Sequence, residues 1–108
     1  MTLAELTTIL TGITGFSNKV AYRAFPENEA PALPFICYFV TGSDNTIADN
    51  RVFVPHQNVT IELYTRNKDV TSEELLESAL NNASIPWEKF EDYISSEHCY
   101  QITYSITI

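Results

Sequence analysis

The last ten residues, CYQITYSITI, alternate without a break. Tyr100, Ile102, Tyr104, Ile106 and Ile108 fall on one side, and Gln101, Thr103, Ser105 and Thr107 on the other. Side chains of a strand point to opposite faces in turn, so this pattern specifies a strand with one face on a core and one face turned away. A chain holding such a strand must supply other strands to pair with it and something apolar to cover its tyrosine and isoleucine face. The rest of the sequence is read as the source of both.

Two segments have helical spacing. In TLAELTTILTGI, Leu3, Leu6, Ile9, Leu10 and Ile13 recur on one face; Thr2 with Glu5 makes a capping-box pattern, and Gly12 and Gly15 mark the end. In TSEELLESALNNAS, the stripe is Leu75, Leu76, Ala79, Leu80 and Ala83, and Thr71 with Glu74 predicts a second capping box. Glu73, Glu74 and Glu77 read as a solvated polar face of that helix. Glu73 and Glu74 also suit its positive end.

The remaining segments are strands and connections. KVAYRAF reads as a short strand, and FICYFVT as one buried on both faces. PENEAPALP holds three prolines in nine residues and must be an extended surface loop. RVFVPHQNVTIELYT is strand material broken or bulged at Pro55, with Val59, Ile61 and Leu63 on the buried face. WEKFEDYI carries charge on both faces, Glu88, Glu91 and Asp92 among it, as an edge strand does. The order α-β-β-β-β-α-β-β predicts an α+β fold: one domain over residues 1–108, a largely antiparallel sheet with both helices on one face.

Composition narrows the function. A net charge of −8, with the six basic residues scattered singly, offers no stripe for phosphates, so DNA binding as the main task is disfavoured. No apolar run approaches the roughly 20 residues of a membrane helix, and MTLAELTTIL lacks a basic signal region, so a cytoplasmic protein is the expectation. Cys37 and Cys99 lie in apolar segments and read as buried thiols. No CxxC or histidine stands at zinc spacing beside them. With three glycines in all, no phosphate loop can be assembled, and neither GxSxG nor HExxH occurs. His98 and Cys99 are strand neighbours pointing apart, which denies them a nucleophile-and-base role. Asn58-Val-Thr60 and Asn82-Ala-Ser84 match the glycosylation triplet by chance, given no secretory signal. No enzyme, cofactor or metal is expected.

One segment remains without a role, GSDNTIADNRVF, with its two Asp-Asn pairs. It lacks the alternating ligands, central glycine and final glutamate of a calcium loop. Two readings stay open. It is a hairpin connection with Asp and Asn shaping the turns, or a protruding loop that orders at an assembly interface. In the second, Asp44, Asn45, Ile47, Asp49, Asn50 and Arg51 are the candidate contact residues. Asp44 and Asp49 would meet donors, Ile47 would be an apolar anchor, and Arg51 would pair with a carboxylate.

The stretches VAYRAFPENEAPALPFICYFVTGSDNTIADNRVF, IELYTRNKD and EKFEDYISSEHCYQITYSITI together resemble a family of small head–tail joining proteins from tailed phages and prophages of Gram-positive bacteria. The resemblance runs from Val20 to Ile108. It rests on AP-x-LP before an aromatic strand, on ADN-x-V and on ELYT-x-x-KD, none of them a catalytic motif. The family looks like tail terminators, or tail completion proteins. The resemblance implies an α+β subunit of a homo-oligomeric ring, expected to have six members, at the head-proximal end of the tail tube. Its partners would be other copies of itself, the major tail tube protein and the head–tail connector proteins. DNA would pass through without specific binding, and no membrane would be involved. The place implied is the virion tail or neck, after assembly in the host cytoplasm. Three alternatives stand beside it: another connector or stopper, a host-directed interaction module, or a small ligand-binding or enzymatic α+β domain, which would need a pocket with converging polar groups.

Overall fold

The computed structural model describes residues 1–108. The elements are α1 (Leu3–Thr11), β1 (Val20–Tyr22), β2 (Phe35–Ser43), β3 (Thr46–Ala48), β4 (Arg51–Val54), β5 (Gln57–Thr65), α2 (Val70–Asn82), β6 (Trp87–Ile94) and β7 (Cys99–Thr107). This is the expected α+β succession of helix, strands, helix, strands, with one further short strand, β3, inside the Asp-Asn segment.

Five strands form the main sheet in the order β1-β2-β5-β7-β6. All neighbours are antiparallel except β1, which runs parallel to β2. Parallel pairing requires the chain to return between the two strands, and the proline-rich loop does this. The turn begins at Arg23, whose φ of 67° ends β1 after three residues. Its Phe25 then meets Phe35 edge to face, with ring centroids 5.3 Å apart.

Both helices lie on one face of the sheet. Leu6 and Leu10 of α1 and Leu76 and Leu80 of α2 pack on Ile36, Tyr38, Val59, Ile61, Leu63, Ile102, Tyr104 and Ile106. Every core-side residue of the alternation in β5 and β7 is therefore where the period-2 pattern puts it. Ile108 is also buried and exchanges two backbone hydrogen bonds with Gln57, of 2.8 and 2.9 Å. The middle of β2, Ile36 to Tyr38, is buried on both faces. Its ends are less covered, because the open sheet face carries no helix.

The helix ends show one agreement and one correction. Thr2 and Glu5 form the reciprocal capping box of α1. In α2 the cap is Asp69, not Thr71. Its carboxylate accepts from the Ser72 backbone N–H at 3.0 Å and from the Ser72 hydroxyl at 2.8 Å. Both residues are good N-caps, but the helix begins at Val70, so only Asp69 is placed to reach the free N–H groups.

Glu73 is also not solvated. It is 1% exposed and lies between Lys68 and Lys89. Lys89 and Glu91 of the β6 edge point to the helix side, opposite Tyr104 and Ile102 of β7, so the charges of this edge serve α2. Leu75, placed on the apolar stripe by periodicity, is exposed.

Candidate assembly site

The Asp-Asn segment folds as a two-stranded hairpin, β3-β4, separate from the main sheet. Asp49 and Asn50 are its two turn residues, between the paired Ala48 and Arg51. Their φ angles, 52° and 62°, are both left-handed, as a type I′ turn requires. Asp and Asn are the non-glycine residues that accept this conformation most readily. The second Asp-Asn pair is thus explained by backbone geometry.

The first pair fastens the base. The Asp44 backbone N–H donates to the His56 carbonyl at 3.0 Å. The His56 N–H donates to Asn45 Oδ1, also at 3.0 Å. Pro55, which cannot donate a hydrogen bond, separates β4 from β5 at this point, as its sequence position suggested. The hairpin is therefore clamped at its root and free along its length.

That free length is apolar. Every residue from 46 to 55 is exposed, including Ile47, Val52, Phe53 and Val54. Ile47 pairs with Val52 and Thr46 with Val54, so a bulge leaves Phe53 without an opposite residue. Bulges redirect side chains, and Phe53 is 72% exposed. Large apolar side chains gathered on an exposed arm mark a contact surface.

Of the six residues singled out by sequence, Asn45, Asp49 and Asn50 have intramolecular roles in building the arm. Ile47 and Arg51 are presented on it, and Asp44 lies at its root. Val52, Phe53 and Val54, exposed on the same arm, were not among the residues singled out by sequence. Their strand-like run is indistinguishable from a core strand until its pairing is known.

Elsewhere the surface offers little for chemistry. No three His, Cys, Asp or Glu side chains are grouped to hold a metal ion. No helix is long and apolar enough to cross a membrane. Cys37 and Cys99 are free and buried. Burial, and then the nearby Glu62, push the Cys37 thiol up to about 11. On the open sheet face, Gln101 Nε2 donates to Glu62 at 2.7 Å and to the Tyr64 hydroxyl at 3.0 Å, a network that closes on itself.

One cleft is mainly apolar. It lies where β2 begins and β5 ends, and it is lined by Leu33, Phe35, Tyr64 and Ile94 with Arg66 and Glu97 beside them. Its volume is ≈ 380 Å³. Arg66 and Glu97 are at its rim and make no ion pair with each other. No family model and no curated protein matches this chain.

Proposed function

We propose that this chain is a structural head–tail joining protein of a tailed phage or prophage. In this reading it is a tail terminator that caps the head-proximal end of the tail tube, ends its polymerisation and presents a surface to the head connector. The observation that carries the reading is the clamped, apolar β3-β4 hairpin, which has no partner inside its own subunit. An arm of this kind is suited to assembly. It is held at its root by His56, kept in shape by a tight turn, and covered in side chains that gain from leaving water. The resemblance along residues 20–108 supplies the kind of assembly.

Charge is consistent with a channel role. At −8 per subunit, a ring would repel phosphates and let DNA pass without retaining it.

Electron microscopy of the purified protein mixed with tail tubes tests the proposal. Density at one end of each tube, with tube length limited by the added protein, is the expected result. Binding to head connectors with no effect on tube ends would favour a connector or stopper. Binding to neither would overturn the reading.

A further inference from the structure

The hairpin and the apolar cleft lie at opposite poles of the molecule. Ser43 pairs with Gln57 at the hairpin end of the sheet, whereas Phe35 pairs with Tyr64 at the other. Eight steps of strand separate Phe35 from Ser43, about 26 Å at 3.3 Å per residue. The whole chain measures 50 × 27 × 23 Å, so these poles are the ends of an elongated body. A contact between them cannot form within one subunit.

Their chemistry is complementary. The arm carries Ile47, Val52 and Phe53, and the cleft is lined by Leu33, Phe35, Tyr64 and Ile94. The arm tip carries Asp49 and Arg51, and the cleft rim carries Arg66 and Glu97. Four of the six basic residues already have partners. Lys68 and Lys89 pair with carboxylates, Lys19 donates to the Ala32 carbonyl, and Arg23 lies over the Phe39 ring. The two left without one are Arg51 on the arm and Arg66 at the cleft. For each, the opposite surface carries a carboxylate with no partner of its own: Glu97 at the cleft for Arg51, and Asp49 on the arm for Arg66.

We infer that the hairpin tip of one subunit docks in the apolar cleft of a second copy of this chain, with Phe53 seated on Phe35 and Tyr64. Arg51 then meets Glu97, and Asp49 meets Arg66. The contact joins two different patches and is head-to-tail, so repetition gives a ring if the rotation closes and a filament if it does not. The inference rests on the reading of the hairpin as an assembly element, and it names that element's partner.

The test uses the purified protein alone. With Phe53 replaced by the photoreactive p-benzoylphenylalanine, irradiation should give a covalent dimer. Its cross-linked peptide should map to residues 30–35 or 94–99 of the other copy. Cross-links only to other segments, or none at the highest soluble concentration, would overturn the docking. In sedimentation, Arg51→Glu and Glu97→Arg should each weaken self-association severalfold, and the double variant should restore it. Two additive losses without rescue would also overturn it. Phe53→Asp should abolish association with an unchanged circular dichroism spectrum, because the residue is exposed. Failure of the cross-link with normal capping of tail tubes would remove this inference and leave the proposed function standing. A correct cross-link with uncapped tubes would do the reverse.

Discussion

The Lys89 ammonium lies 2.6 Å from Glu73 Oε1 and so ties the edge strand β6 to the first turn of α2. Lys68 approaches the other oxygen of the same carboxylate at 2.8 Å. Burial alone would raise the Glu73 carboxyl, but the hydrogen bonds from Lys68 and Lys89 outweigh it and hold it below its ordinary value. Glu77 extends the cluster by accepting from Lys89 at 2.8 Å and from the buried Tyr104 hydroxyl at 2.6 Å.

A carboxyl lowered in the folded state stabilises it fully above the unfolded value, near 4.5. That contribution is lost as pH falls below 4.5 and through the lower folded value. Glu73→Gln should therefore cost about 1–3 kcal/mol at neutral pH and flatten the stability profile on the acid side. The lysines are 43% and 32% exposed, so screening places the cost toward the low end. Urea midpoints at several pH values would show it. A variant with the same acid-side slope as the parent would refute the assignment.

At the hairpin root, Asn45→Ala removes the acceptor for the His56 N–H. Exchange of the amides in residues 46–54 should accelerate, while global stability changes by less than about 0.5 kcal/mol, because the hairpin that this bond anchors lies outside the core. Asn50→Val should break the hairpin itself, because a β-branched residue resists the left-handed conformation that Asn50 adopts. Loss of the Ile47–Val52 cross-strand contact by NMR in Asn50→Val, and its retention in Asn50→Gly, is the expected pair of results.

Ile106 is 3% exposed and pairs with Val59 on one side and Trp87 on the other. Ile106→Ala should cost about 2–5 kcal/mol. A denaturation series giving less than about half a kcal/mol would mean that this end of β7 is not core.

Cys37 should be inert in the native protein. Its thiol is buried and pushed up to about 11, so little thiolate exists at pH 8. Labelling with a thiol reagent should be slow until denaturant is added, when both cysteines react. Full-rate labelling of Cys37 without denaturant would show that the open sheet face admits solvent there.

Duplex DNA should not be retained in a gel shift at moderate salt. Lys68 and Lys89 are occupied by carboxylates, and Arg51 and Arg66 sit at opposite poles. No two free cations are adjacent to follow a phosphate backbone. Tight, salt-sensitive binding would overturn the channel reading.

Much of the fold was legible from the chain itself. The alternation in β7 and in the second half of β5 placed Ile102, Tyr104, Ile106, Val59, Ile61 and Leu63 correctly, because a period of two leaves only one face to bury. Helical spacing located α1 and α2 for the same kind of reason, and Thr2 with Glu5 marked the start of α1. The Asp49-Asn50 pair carried a turn signal that its left-handed geometry accounts for.

Local pattern could not say what lies opposite a given face. Glu73 looked like any solvated glutamate, and only the register of β6 on β7 brings Lys89 to it. Val52, Phe53 and Val54 had the composition of a buried strand, and only the clamp at His56 turns them away from the sheet. The two poles lie at opposite ends of the sheet, yet Phe53 and Tyr64 are only 11 residues apart in sequence. Periodicity records which side of an element is apolar. Long-range pairing decides whether that side meets the core, a buried charge or the open surface, because it depends on residues far away along the chain.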